Sequence, residues 1–145
     1  MNDTSAYRGW EFFLPLRVMP EHLDPQGHVN NVTFVRFIQE AAVAHWLAAA
    51  PPELQSGIGW VVRRHEIDYL RPGQLGDELV AKTWVGEPSG ATWERFTEIQ
   101  RVETGQILVK ARTVWVLLDA NSGRPRRVDA RMISALRRAD GESPR

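Results

Sequence analysis

From Trp10 to Met19 apolar and polar residues alternate, with Trp10, Phe12, Leu14, Leu16 and Val18 on one side and Glu11 and Arg17 on the other. This is the period of a half-buried strand. Pro15 has no amide hydrogen to give a ladder, so the strand is expected at an edge or with a bulge. The pattern changes over Val32 to Ala50, where apolar residues nearly encircle a helical projection and only Thr33, Arg36, Gln39, Glu40 and His45 interrupt them. Such a helix is expected to be buried on most sides, and Glu40 within it to find a partner. Pro51-Pro52 ends it. Strand character returns over Gly59 to Leu70, where the apolar parity shifts near Arg64 and His65 and predicts a bulge. Three more strands follow, over Leu79 to Val85, Thr92 to Val102 and Gln106 to Leu118. Gly86-Glu87-Pro88-Ser89-Gly90 and Glu103-Thr104-Gly105 read as the hairpin connections between them. In the last strand Ile107, Val109, Ala111, Thr113, Trp115 and Leu117 share a face, and Val114, Val116 and Leu118 make the other face apolar as well, as in the middle of a sheet or at a subunit contact. A loop over Asp119 to Pro125 and a short amphipathic segment from Asp129 to Leu136 precede a polar end, residues 137–145, that is expected to fray.

The order is one strand, one long helix, then four strands in meander-like succession, which predicts an α+β fold with a five-stranded antiparallel sheet and the helix on one of its faces. Its 145 residues fit one domain over 1–145, with a core over about 10–135. Lys plus Arg and Asp plus Glu each number 18, so net charge gives no reason to expect a nucleic-acid partner. The absence of cysteine excludes a disulfide framework, a thiol nucleophile and a thiolate metal site. No segment has the apolar length of a membrane span and the first residues lack a secretory pattern, so a soluble, cytoplasmic protein is expected. Six tryptophans in a chain of this size point first to packing and subunit contact.

Candidate chemistry concentrates in Leu23-Asp24-Pro25-Gln26-Gly27-His28-Val29-Asn30-Asn31, between the first strand and the helix. Asp24 supplies a carboxylate. Asp24 to Gly27 is turn chemistry, with a fixed proline φ and a permissive glycine, and Asn30 or Asn31 can begin the helix. A helix N-terminus carries unpaired N–H groups and a partial positive charge, which can hold a developing oxyanion while a nearby carboxylate attacks or directs water. His28 is as well suited to bonding loop carbonyls as to touching substrate. Glu21, His22, Asp24 and His28 lack metal-ligand spacing, so no metal is expected. Arg63, Arg64 and Arg71, or Arg124, Arg126 and Arg127, can meet phosphates, although solvated surface charge is the default for all of them.

The strand, the Asp24–Asn31 segment, a helix with Phe34 and Glu40-Ala41, then Tyr69-Leu70-Arg71-Pro72 and Gly76-Asp77 together resemble the 4-hydroxybenzoyl-CoA thioesterase type of the hotdog-fold superfamily. The resemblance implies a sheet wrapped around one central helix, and a homodimer or homotetramer whose protomers pair their sheets edge to edge, with active sites at the dimer interface. It implies an acyl-CoA thioesterase releasing free acid and coenzyme A, with coenzyme A as part of the substrate and no cofactor. Asp24 would be nucleophile or general base, the backbone N–H of Asn31 would polarise the thioester carbonyl, and Gly27 would keep the turn tight. His28, Asn30 and Phe34 would bind substrate, with Val61, Val62 and Arg63 contributed by the second subunit. Relatives of this type often carry an acid at the position of His22, a Tyr at that of Phe34 and an Arg at that of Ala42. The competing readings are a protein that binds acyl thioesters without cleaving them, and a thioesterase for acyl groups on a carrier protein; no motif of the hydratase branch is present.

Overall fold

A computed structural model describes residues 7–8 and 10–137 of the chain. The strands form where the alternation predicts them. They are β1 (Tyr7–Arg8), β2 (Glu11–Arg17), β3 (Ile58–Tyr69), β4 (Glu78–Ser89), β5 (Thr92–Arg101) and β6 (Ile107–Asp119). The helices are α1 (Asn31–Ala49), the single turn α2 (Pro52–Gln55) and α3 (Ala130–Leu136). All pairings are antiparallel, in the order β1-β2-β4-β5-β6-β3. Among the described residues the five expected strands are therefore joined by a two-residue sixth, which covers only Glu11 and Phe12 of β2 and leaves Pro15 on the edge of the sheet.

Only β4, β5 and β6 form a meander. β3 pairs with β6 and not with its chain neighbour β4. Alternation decides which face a side chain takes but carries no information about which strand lies alongside, so the expected four-strand succession is corrected here. Residues 70–77 consequently cross the end of the sheet instead of making a hairpin. The expected turn at Gly86 to Gly90 is shorter than its glycine and proline suggest. β4 continues through Ser89 past a register shift between Val85 and Pro88, and the chain reverses at Gly90 and Ala91. In β3 the shift falls between Val62 and Arg64, leaving Arg63 as the bulged residue.

α1 lies on one face of the sheet, and its core-facing residues divide into two groups. Phe34, Phe37, Ile38 and Ala41 pack with Val18, Leu79, Ala81, Ile99, Leu108 and Val109. Ala49 and Ala50 pack with Leu54, Val85, Trp93, Leu117 and the α3 residues Met132 and Leu136. Between these apolar clusters lies a buried polar layer of His45, Thr83, Arg95, Thr97 and Thr113. Its bonds run from Arg95 Nη1 to His45 Nδ1 (2.9 Å) and Thr83 Oγ1 (3.1 Å), and from Thr83 Oγ1 to Thr97 Oγ1 (3.1 Å). Because arginine only donates, His45 Nδ1 accepts and the ring carries its proton on Nε2. The His45 ring stacks on Phe12, with centroids 5.0 Å apart.

The helix is less enclosed than expected. Val32, Val43 and Leu47 are 70%, 50% and 58% exposed, and Arg36, Gln39 and Glu40 lie on the same side. A helix on one face of a single sheet has nothing over its back, so Glu40 is exposed and makes no ion pair among the described residues. Of the expected frayed end, Arg137 is anchored instead, donating to Gly86 O at 2.6 Å and Glu87 Oε2 at 2.9 Å; residues 138–145 lie outside the described part.

His65 extends the polar layer to β3, with Nδ1 2.9 Å from Thr113 Oγ1. Burial holds its pKa below the usual imidazole value. The folded chain therefore gives up a proton that the unfolded chain binds below a pH of about 6.5, so this contribution to stability is present above that pH and lost below it. Thermal unfolding midpoints are expected to fall between pH 7.5 and 5.5 by more in the native protein than in His65→Gln. Equal falls in the two would remove His65 from the account.

Candidate active site

The loop between β2 and α1 is built around the Asp24 side chain. Its Oδ1 accepts from the amides of Gln26 (2.9 Å) and His28 (3.1 Å), while the Asp24 amide donates to His28 O at 2.7 Å. A proline sets the turn's first φ, and Gly27 takes φ of 84°, a left-handed conformation that costs glycine little. Both recorded bonds fall on Oδ1, and no donor among the described residues reaches Oδ2. The carboxylate is half-buried, with its second oxygen available.

The start of α1 shows how its donors are used. Asn30 is the N-cap; its Oδ1 accepts from Val32 N at 2.8 Å, and its carbonyl accepts from the amides of Thr33 (2.9 Å) and Phe34 (3.3 Å). The Asn31 amide is the one N–H of this first turn that donates to no acceptor among the described residues. Asn30→Ala is expected to cost about 1 kcal/mol of stability, read from denaturant midpoints, because Val32 N loses its acceptor. An unchanged midpoint would mean that the cap contributes nothing.

Asp24 and Asn31 open into one pocket of about 240 Å³, with His28, Val29, Phe34, Tyr69, Leu70, Arg71 and Pro72. The wall after Phe34 comes from the end of β3 and the crossing segment, whose presence follows from the β3–β6 pairing. Tyr69 sets its hydroxyl 3.4 Å from Asn31 O, and its ring is 6.2 Å from that of Phe34. The crossing segment also clamps the loop. Val29 N donates to Gly73 O at 2.8 Å, and a Cβ on Gly73 would lie 2.8 Å from Val29 Cγ2. Arg101 holds the segment in turn, donating to Pro72 O (2.8 Å) and to Asp77 Oδ2 (3.1 Å), which also accepts from Gln74 N.

Of the residues expected at the site, Asp24, Asn31, His28 and Phe34 come together in this pocket, while Gly27 and Asn30 shape its loop and helix start. Within one protomer Val61, Val62 and Arg63 do not line it; they lie midway along β3, on the edge that no other strand among the described residues covers. His22, at the position of the relatives' acid, is turned away. Its Nδ1 accepts from Met19 N at 2.9 Å and its ring packs edge-on against Phe37. Tyr69 and Leu70 are not among the site residues that the sequence points to, and Arg71 figures there only as a possible phosphate contact. All three line the pocket. The signal for them is the motif Tyr69-Leu70-Arg71-Pro72 at a strand end, whose position follows only once β3 is placed beside β6.

A second pocket, of about 70 Å³, lies toward the other end of α1, against Ala42, Trp46, Trp60, Trp93, Arg95 and Trp115. Four of the six tryptophans thus line a cavity, Trp93 while belonging to the apolar cluster around Leu117 and Trp46 and Trp60 while packing against it. Arg95 also escapes the sequence reading. Trp93, Thr97 and Ile99 set the inward parity of β5, and Arg95 shares it.

Known proteins agree with this architecture. The chain is 27% identical to the long-chain acyl-CoA thioesterase FadM of Escherichia coli K12 over 72% of its own length and 80% of that protein. It is 30% identical to a chloroplastic palmitoyl-acyl carrier protein thioesterase of Gossypium hirsutum over 60% of its length, but spans only 23% of that relative. A thioesterase from Thermus thermophilus, solved with coenzyme A and zinc, superposes with a TM-score of 0.75 at 29% identity, covering 86% of this chain and 96% of that one. The sheet wrapped on one long helix is the hotdog fold of such thioesterases. With residues 18–136 matching the family model as well, from the end of β2 to the last turn of α3, the chain belongs to the thioesterase-like superfamily.

Proposed function

We propose that this protein is an acyl-CoA thioesterase, hydrolysing the thioester to a free acid and coenzyme A, with Asp24 and the Asn31 amide as its catalytic core. The observation that carries the reading is that the one unused donor of the α1 start and a carboxylate with an available oxygen share a pocket. The thioester carbonyl accepts from Asn31 N–H, which strengthens its bond as negative charge gathers on oxygen; a donor so aimed is commonly worth about 2.7 to 4 kcal/mol. Asp24 Oδ2 either attacks the carbonyl carbon, giving an anhydride that water then opens, or takes a proton from an attacking water. The thiolate leaves without a strong general acid. Gly27 keeps the turn tight, His28, Asn30 and Phe34 shape the substrate's surroundings, and the exposed Arg71 is available to the phosphates of coenzyme A.

The protein works as a homodimer or a tetramer of such dimers, paired through β3. This strand is twelve residues long, pairs on one side only among the described residues, and leaves Val61 46% exposed, an edge of the kind that folded proteins cover. Antiparallel pairing about a twofold axis brings the Trp60 end of one protomer to the Tyr69 end of the other, so Val61, Val62 and Arg63 of the partner subunit complete the pocket. The compartment is cytoplasmic. The likeness to the Gossypium hirsutum enzyme favours a second reading of the substrate, an acyl group on a carrier protein, which presents the same thioester.

The test is thiol release from a panel of acyl-CoAs and acyl-carrier proteins, with mass measured by sedimentation in parallel. Hydrolysis by a dimer or tetramer is expected. Tight binding without thiol release would make the protein a non-catalytic acyl-thioester binder, and a fully active monomer would overturn the shared site.

A further inference from the structure

Residues that line the tryptophan pocket carry donors with nothing to bond. Arg95 is only 5% exposed, and both recorded bonds of its guanidinium, to His45 Nδ1 and Thr83 Oγ1, use the same nitrogen, Nη1. No carboxylate lies within ion-pair distance of it among the described residues. Glu94, its neighbour in the chain, gives Oε2 to Arg112 Nε at 2.7 Å. Two further pocket residues, Trp60 and Trp115, have buried indole N–H groups without an acceptor. A buried donor left unpaired costs about 1 to 3 kcal/mol, and a buried cation without an anion costs more. Desolvation lowers the Arg95 pKa to about 9, so at neutral pH the guanidinium keeps its charge in an apolar setting. The cavity around these donors is otherwise walled by indole rings and by Ala42, whose small side chain leaves the space in front of the sheet open.

An apolar wall with donors and an uncompensated positive charge fits a ligand that has a hydrocarbon body and an anionic end. We propose that the tryptophan pocket holds the far end of the acyl group, and that the acyl group it selects ends in a carboxylate anchored by Arg95. This rests on the thioesterase reading. The Asp24 pocket and the tryptophan pocket lie at opposite ends of α1 in one protomer, with Phe37, Ile38 and Ala41 packed between them. Pairing of the β3 edges instead sets the Asp24 pocket of one subunit beside the tryptophan pocket of the next. The thioester is then cleaved on one chain while Arg95 of the other reads the distal end.

The experiment compares thiol release from acyl-CoAs of matched length that end in a methyl group, a hydroxyl or a carboxylate, using the full chain. The carboxylate-ended series is expected to be favoured in kcat/KM roughly ten- to hundredfold, the size of a hydrogen bond to a charged group. In Arg95→Met the preference should collapse or reverse. Should that variant not fold, Trp60→Phe and Trp115→Phe, which remove the indole N–H groups and some ring volume while keeping an aromatic wall, are expected to narrow it. Calorimetry with free dicarboxylates and matched diols, which lack the anion, reads the pocket without catalysis, and the dicarboxylates should bind more tightly. Hydrolysis without any preference for the carboxylate end overturns this proposal alone, and so does a preference that survives Arg95→Met. A preference for the hydroxyl end would replace the anionic ligand with a neutral one. If no thioester is cleaved but dicarboxylates still bind through Arg95, the catalytic reading fails and the pocket stands.

Discussion

Asp24→Asn is expected to lower kcat/KM on the best acyl-CoA by about 10²- to 10⁴-fold, the usual range for removing a positioned acid or base. The substitution isolates chemistry from folding. An amide oxygen at the position of Oδ1 still accepts from the amides of Gln26 and His28, so the loop keeps its turn and the unfolding midpoint should not move. What is lost is the charge and nucleophilicity at Oδ2. Substrate binding should change little, because the wall formed by Phe34, Tyr69 and Arg71 is untouched. Thiol release at the native rate would remove Asp24 from the mechanism and leave the turn as its only role.

The largest effect on stability is expected from Phe34→Ala. Phe34 is 2% exposed, meets Phe37 edge-on at 6.2 Å and belongs to the cluster formed with Val18, Leu79 and Ile99. Removing such a ring takes away its transfer free energy and leaves a cavity, a loss of about 3 to 5 kcal/mol. The corresponding fall in the unfolding midpoint is on the order of 10 °C. Phe34 also lies in the first turn of α1 and against Gly73, so activity should decline at temperatures where the variant is still folded, as the Asn31 amide loses its support. A loss below about 1 kcal/mol would show that neighbouring side chains collapse into the space.

Much of this architecture is legible in the sequence, because period-two alternation and an apolar helical run are local signals. β2, β3, β5, β6 and α1 lie within one or two residues of their predicted bounds. The Asp24–Asn31 segment is legible for the same reason, since proline, glycine and asparagine act through their own backbones. What cannot be read is what depends on distant partners. The pairing of β3 with β6 brings Tyr69 and Arg71 to the Asp24 pocket, yet no residue in either strand announces the other. Glu40 looks enclosed when its helix is projected alone and is exposed once only one sheet face covers that helix. Arg95 is the readable exception: it stands at the inward parity of β5, where a charge in a strand asks for an explanation.

The polar layer under the C-terminal half of α1 fixes where that helix sits along its axis. Purely apolar contacts between a helix and a sheet are tolerant of sliding, because one alanine or leucine serves about as well as the next. His45 is not interchangeable in this way. A shift of one turn, about 5.4 Å, would carry its ring into an apolar cluster and take its Nδ1 from Arg95. A polar contact some four turns away thus acts as an axial stop for the Asn31 amide, and holds the gap between that donor and Asp24 to a single value.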